Sequence, residues 1–197
     1  MSAFDTIILL TGEVEQPVLA SILLDCNPHL TIRLAATSAD LSTLAPEILR
    51  RARLIAFSTD VIVPAQTLEQ LGYGAYNFHP GPPHFPGSAP AHFAVRGAAT
   101  EFGATAHVMA ERVDSGPIVG VELFPVPAGA DVVDLETLAY AHLAQLFRRL
   151  AKFLATQAEP LPVLPISWSG LKTSRRLLAA LDETFADFSE AGQAGRT

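Results

Sequence analysis

The chain opens on an unbroken apolar, β-branched run, Thr6–Leu10, that stops at Thr11-Gly12. A run without alternation is the pattern of a strand covered on both faces. Apolar residues then recur at helical spacing across Val14–Leu24, at Val14, Val18, Leu19, Ile22 and Leu23. Leu30–Ala35 predicts a second strand, Leu41–Arg51 a helix with Ser38 or Ser42 near its start, and Leu54–Ser58 a third buried strand. Pro64 suits the first turn of a helix running to Leu71. Gly72 and Gly74 end it ahead of a fourth strand at Ala75–Phe78. Strands and helices alternating over short connections predict an α/β fold: a Rossmann-like, mostly parallel sheet with helices on both faces.

Beyond a proline-rich loop, Ala89–Arg96 reads as a helix, and Gly103–Ala110 and Val119–Pro125 as strands joined through Val113–Ile118. From Asp131 to Thr156, apolar residues at 135, 138, 139, 143, 146, 147, 150, 153 and 154 trace a long amphipathic helix with Asp131 as its N-cap. Such a stripe covers the sheet of its own domain or, less often, meets a second subunit in a homodimer. Leu161–Pro165 is an extended connector, Thr173–Phe188 a last helix, and Ala191–Thr197 a small, polar tail expected to fray. The organisation is one domain over residues 1–160 and a C-terminal extension over 161–197, too short for a separate domain.

Composition narrows the function classes. At 49% apolar and 17% charged residues the chain is globular rather than disordered. A net charge of −7 speaks against wrapping a polyanion, because neutralising phosphates supplies most non-specific nucleic-acid affinity. The single cysteine, Cys26, excludes an intrachain disulfide and thiolate metal clusters and fits a reducing compartment. No basic segment precedes Ile7–Leu10, which is too short for a signal-peptide core or a membrane span, so a cytoplasmic protein is expected. His29, His92, His107 and His142 show no ligand-like spacing; no metal site is expected, and His92 and His107 read as packing or surface residues. The turn after the first strand, Thr11-Gly12-Glu13-Val14-Glu15, carries one glycine and two carboxylates. It would repel a pyrophosphate, so the dinucleotide cofactors are set aside although the architecture is kept.

The chemistry gathers at Asn77-Phe78-His79-Pro80-Gly81-Pro82-Pro83, at the carboxyl end of a buried strand, where open α/β sheets bind ligands. Residues two apart on a strand point the same way, so Asn77 and His79 share a face. An amide donor beside an imidazole suits stabilisation of an oxyanion together with proton transfer. The second piece is Val113-Asp114-Ser115-Gly116-Pro117-Ile118, whose carboxylate, if close to His79, would orient the ring.

These motifs in this order resemble the 10-formyltetrahydrofolate-dependent formyltransferase family: Asn-x-His at a strand end, then an Asp in a Val-Asp-Ser-Gly motif, here 35 residues after the His. Gly87-Ser88-Ala89-Pro90 is similar to the family's Gly-x-Ala-Pro, and Gly103-Ala104-Thr105 to the strand ahead of the Asp. Ile62-Val63-Pro64 is similar to the segment that holds the pterin ring. The resemblance covers roughly residues 5 to 155 and implies that residues 1–160 are a formyltransferase catalytic domain. It further implies 10-formyltetrahydrofolate as co-substrate, no metal, and a small-molecule amine as acceptor. Asn77, His79 and Asp114 would be catalytic; Val61, Ile62, Val63, Val113, Gly116 and Pro117 would hold the folate; Gly81, His84 and Gly87 would form the substrate loop. In the implied reaction the amine attacks the formyl carbon, Asn77 and His79 stabilise the tetrahedral oxyanion, and Asp114 orients His79 and helps move the amine proton.

Several positions depart from the family. Gly81-Pro82-Pro83-His84 stands where Ser-Leu-Leu-Pro is usual, which opens the question of the acceptor. The phosphate loop of the glycinamide ribonucleotide enzymes is absent, and the charge speaks against tRNA. A formyltetrahydrofolate hydrolase and a folate-binding member without turnover stay open as alternatives. Trp168, Lys172, Arg175 and Arg176 read as a solvated basic helix face or, alternatively, an anion or partner site.

Overall fold

A computed structural model describes residues 4–169 and 172–181. Its strands are β1 (Thr6–Leu10), β2 (Thr31–Ala35), β3 (Ala52–Phe57), β4 (Ala75–His79), β5 (Glu101–Val108) and β6 (Ile118–Pro125). They form one six-stranded sheet in the order β2-β1-β3-β4-β5-β6. The first four run parallel, and β5 and β6 add antiparallel to β4 and to each other. The helices are α1 (Gln16–Cys26), α2 (Ser38–Ser42), α3 (Pro46–Leu49), α4 (Ala65–Gln70), α5 (Pro90–Arg96) and α6 (Val132–Thr156).

The strand alternation sorts the core into two layers. Ile7, Leu9, Ile55, Phe57, Tyr76 and Phe78 face α1 and α6, whereas Ile8, Leu10, Leu54, Ala56 and Ala75 face the layer of Leu41, Leu49 and Leu68. Helices therefore cover both faces, as the alternating pattern predicts. Asp131 caps α6 in a reciprocal pair with Asp134. The apolar stripe of α6, from Leu135 to Leu154, is buried within this one chain, so it covers its own sheet.

Three helix expectations change. The helix read over 14–24 starts at Gln16 with Pro17 in its first turn; Val14 and Val18 are exposed, and Leu19 and Leu23 are its fully buried anchors. The helix read over 41–51 is two short ones, because Pro46 holds Ala45 in an extended conformation and cannot donate into the preceding turn. Its cap is Thr37, paired with Asp40, rather than Ser38 or Ser42. Pro64 stands one place ahead of α4 as its N-cap. Near the other end, residues 175–181 are helical; the rest of the helix expected over Thr173–Phe188, and the tail expected to fray, lie outside the described residues. No helix among the described residues is long and apolar enough to cross a membrane.

Candidate active site

The antiparallel join of β4 and β5 builds the site. Asn77 pairs with His107 and His79 with Thr105, so all four side chains stand on the face opposite α6, near the carboxyl end of β4. Asp114, in the connection between β5 and β6, is brought over them in a left-handed backbone conformation (φ 47°) that Asp tolerates better than most residues.

Asp114 is the hub of this group. Its Oδ2 accepts the Gly87 N–H at 2.7 Å and its Oδ1 lies 3.1 Å from His107 Nε2. Asn77 Nδ2 lies 3.2 Å from the same His107 nitrogen and 3.5 Å from Oδ1. His79 Nδ1 stands 3.6 Å from Oδ2, within ion-pair reach but beyond a hydrogen bond. His79, His107 and Asp114 are all buried. His107 Nδ1 faces the Val108 carbonyl oxygen at 2.9 Å while its Nε2 faces Asp114, so both ring nitrogens stand against acceptors. His79 Nε2 faces the Phe85 carbonyl oxygen at 3.3 Å and donates to it.

Charge follows from this arrangement. Burial alone would raise the Asp114 carboxyl, but the hydrogen bond from His107, the neighbouring His79 and the Gly87 N–H outweigh it and hold the group down at about 2. For His79 burial dominates and pulls the imidazole below its ordinary range; nearby Asp114 works against this and His107 with it. The site is thus an ionised carboxylate beside a neutral imidazole at pH 7, with an amide at its edge.

A cavity of about 700 Å³ opens over these groups, and Asn77, His79, His107 and Asp114 all line it. That is within the size range of small-molecule sites. Val61, Ile62, Val63, Met109 and Val113 supply apolar lining; all but Met109 are among the residues proposed from sequence to hold the folate. Gly87 also lines it. Three of the non-glycine residues with positive φ, namely Ser58, Ala89 and Asp114, border the same cavity. Strained backbone gathered at one place is a mark of a functional site.

Four expected residues stand elsewhere. Gly116 packs so closely on β5 that a Cβ would meet the Val108 carbonyl oxygen at 1.9 Å, and the Pro117 carbonyl accepts the Val108 N–H; both extend the sheet rather than line the cavity. Gly81 lies under the His79 ring, where a Cβ would come within 2.5 Å of Nε2, so it supports the imidazole from behind. His84 is exposed, with its ring against Phe85. Conversely, His107 is a central member of the cluster and not a packing or surface residue. The signal for it was the Thr105-x-His107 alternation on a strand that pairs antiparallel with Asn77-x-His79. Trp168 packs its ring at right angles to His107, with centroids 5.1 Å apart, and Lys172 and Arg175 line the cavity. Lys172, Arg175 and Arg176 are all exposed, and Arg175 and Arg176 stand in the helical run 175–181.

A formyl transferase family model matches residues 40–145. The chain is 30% identical over 138 residues to the methionyl-tRNA formyltransferase of Listeria welshimeri, a match that takes in 64% of this chain and 43% of that protein. The chain thus spans less than half the length of the curated relatives it matches. A sugar N-formyltransferase from a Shewanella species superposes with a TM-score of 0.74 at 14% identity, covering 90% of this chain and 80% of its own. The formyltransferase PseJ from Anoxybacillus kamchatkensis, solved with UDP-4,6-dideoxy-4-formamido-L-AltNAc and tetrahydrofolate, superposes with a TM-score of 0.67 at 16% identity over 85% of each chain.

Proposed function

The chain belongs to the formyl transferase family, and from that premise we propose that it moves a formyl group from 10-formyltetrahydrofolate to the amine of a small-molecule acceptor. An amino sugar carried on a nucleotide is the acceptor class suggested by the PseJ complex. The observation that carries this reading is the convergence of Asn77, His79, His107 and Asp114 on one cavity, beside the apolar segment Val61–Val63 that suits a flat pterin ring.

In this reading the acceptor nitrogen attacks the formyl carbon, a C–N bond forms, and the carbonyl oxygen takes up negative charge. Asn77 Nδ2 and a ring N–H of His79 are the donors that meet that oxygen, and fixed donors gain most where charge develops. His79 reaches this role by giving up its bond to the Phe85 carbonyl, which at 3.3 Å is long. Asp114, ionised and anchored by Gly87 and His107, accepts the proton the amine sheds and stabilises the charged form of His79. The bond to N10 of the folate then breaks and the proton passes to that nitrogen. Val61, Ile62, Val63 and Val113 hold the folate, and Gly87 positions the substrate side of the cavity.

The test is release of tetrahydrofolate from 10-formyltetrahydrofolate, followed by absorbance with and without nucleotide-linked amino sugars, beside His79→Ala. Acceptor-dependent release abolished by the substitution is expected. Release without acceptor would reassign the chain as a hydrolase, and no release with no folate binding would sink the proposal.

A further inference from the structure

Residues 161–169 and 172–181 run back across the site instead of away from it. The Leu161 N–H reaches the Tyr76 hydroxyl at 2.9 Å and the Leu164 N–H the Ile118 carbonyl at 2.8 Å. Trp168 Nε1 then donates to the Gly116 carbonyl at 2.8 Å, two residues beyond Asp114. The Ser169 N–H and hydroxyl donate to the Pro83 and His84 carbonyls. The Thr173 N–H and hydroxyl both donate to the Pro86 carbonyl, at 2.6 and 2.9 Å, and Thr173 pairs with Gly87 as a parallel bridge. Arg175 closes the run, with its N–H on Ser88 Oγ and its guanidinium on Asp60.

The loop it crosses needs this help. Pro82, Pro83 and Pro86 bring carbonyl acceptors but no N–H donors, so the loop is poorly able to hold itself with its own backbone. Donors from 169 and 173 supply what is missing. The approach is so close that a Cβ on Gly87 would sit 2.1 Å from the Thr173 carbonyl oxygen, at a positive φ that glycine adopts freely. Gly87 is also the residue whose N–H anchors Asp114. At the other end the Trp168 ring stands across both imidazoles, at right angles to His107 and, with centroids 6.2 Å apart, tilted by 69° to His79.

We propose that residues 168–169 and 172–175 form a strap that completes the site: Trp168 is a positioning residue that seals the His79 and His107 rings from water, and Thr173 one that keeps the Gly87 N–H on Asp114. The boundary at residue 160 therefore does not mark the end of the catalytic unit. The strap's role in turnover rests on the formyl-transfer reading; its hold on the imidazoles does not. The titratable groups that face the two rings are Asp114 and each other. Glu111 and Arg112 from the turn, His92 from α5, Glu136 and Tyr140 from α6, Asp60 from beyond β3, and Lys172 and Arg175 from the strap line the same cavity.

The experiment is a nitrogen-15 histidine NMR titration of the full 197-residue chain, together with turnover and calorimetric binding of folinic acid, in Trp168→Ala, Trp168→Phe and Thr173→Val. Removing the indole admits water, so in Trp168→Ala the His79 ring titrates at higher pH, moving back toward the ordinary histidine range. The kcat falls by about tenfold, the lower end of what outer partners of a reacting group usually cost. Folinic acid binding changes by less than about threefold, the usual reach of a substitution outside a contact. Trp168→Phe keeps a ring over the imidazoles and recovers most of the rate, and Thr173→Val lowers kcat by about threefold. Histidine titrations unchanged in a folded Trp168→Ala protein would overturn the proposal whatever the rate does. Equal losses in the Phe and Ala variants would place the effect on the Gly116 bond and overturn the shielding. If the Ala variant does not fold, Trp168→Leu, which fills volume without a ring, takes its place under the same criteria. Wild-type protein that neither binds folinic acid nor turns over would remove the formyl-transfer reading and leave the imidazole result standing.

Discussion

Two buried polar clusters sit at opposite ends of the sheet, and they are satisfied to different degrees. At the start of β3, Arg53 is wholly buried, with its guanidinium donating to the carbonyls of Tyr73, Leu154, Gln157, Ala158 and Glu159 at 2.7 to 3.3 Å. It stands over the rings of Phe4 and Tyr76. Those carbonyls include the unpaired ones at the end of α6, so the cation meets the negative end of the helix and ties it to the sheet. At the other end, His79 and Asp114 face each other at 3.6 Å without a hydrogen bond, and Asn77 shares contacts of 3.2 and 3.5 Å. In the first cluster every donor group of the guanidinium has a carbonyl oxygen within 3.1 Å. The second keeps slack that a substrate oxygen and a moving proton can take up. Satisfied buried charge holds a fold together; incompletely satisfied buried charge, open to a cavity, is available for chemistry.

The largest expected effect lies at the structural end. Arg53→Met removes the donors to five backbone carbonyls. A loss of about 4 kcal/mol is expected from stranded buried acceptors. At about 2–4 °C per kcal/mol for a chain of this size, the Tm falls by roughly 8–16 °C. The kcat of the folded fraction stays at the wild-type value. A Tm within a few degrees of wild type would show that water replaces the guanidinium and that this end is not the lock described.

The site end should respond the other way. Asn77→Ala and His79→Ala each lower kcat by about a hundred- to a thousandfold, roughly 3–4 kcal/mol in the barrier. Stability is unchanged or slightly raised, because active-site groups are selected for reaction rather than for packing. Thermal melts beside steady-state rates decide it: an Asn77→Ala protein that loses its Tm and keeps its rate would exchange the roles of the two clusters.

Acid should separate the two clusters next. The Asp114 carboxyl, held at about 2 in the folded chain, contributes stability that is complete above its unfolded value and is lost as pH falls through about 2. The shift corresponds to roughly 2 kcal/mol. His79 acts in the opposite sense to a paired histidine. Its folded value is lowered, so the unfolded chain takes up the proton first, and stability begins to fall as pH drops through the ordinary histidine range near 6.5. Chemical unfolding at a series of pH values should therefore show two declines, one starting below about pH 6.5 and one below about pH 4. In Asp114→Asn the second decline disappears and the first remains, since the amide cannot stabilise a protonated His79. Persistence of the lower decline in that variant would assign it to other carboxylates.

Much of this was legible from residues alone, and the gaps have physical causes. Asn77 and His79 were found because strand alternation is local: two residues apart is one face in any sheet. Asp114 came from motif spacing. His107 was missed because its place depends on register across two strands, which no single segment encodes; only the antiparallel join sets it opposite Asn77. Trp168 reads in sequence only as part of a basic stretch or an anion or partner site, since a strap is defined by what it crosses. Gly116 and Pro117 belong to the motif but serve the β5 edge, so sharing a motif with Asp114 did not mean sharing its cavity. The break at Pro46 follows from local rules that place a proline at a helix start and override the apolar spacing running across it. Arg53 gives no sequence signal at all, because its partners are carbonyls and every residue has one.

The smallest effect tests whether the strain around the cavity is functional. Ala89, at φ 62°, borders the cavity and precedes α5, whereas Ala98, at φ 47°, follows α5 and does not line it. Left-handed backbone costs a non-glycine residue about 1–2 kcal/mol, and replacing it by glycine returns part of that while adding about 0.4–1 kcal/mol of unfolded-chain entropy. Ala89→Gly and Ala98→Gly should therefore each stabilise the fold by roughly 0.5–1 kcal/mol, or about 1–4 °C in Tm. Their rates should part. Ala89 is two residues from Gly87, whose N–H holds Asp114, and a freer backbone there lets that donor wander, lowering kcat by about threefold. Ala98→Gly should keep the wild-type rate. Equal rates in both variants would mean that the conformation at 89 only turns the chain into α5, and that slack at the site comes from its side chains alone.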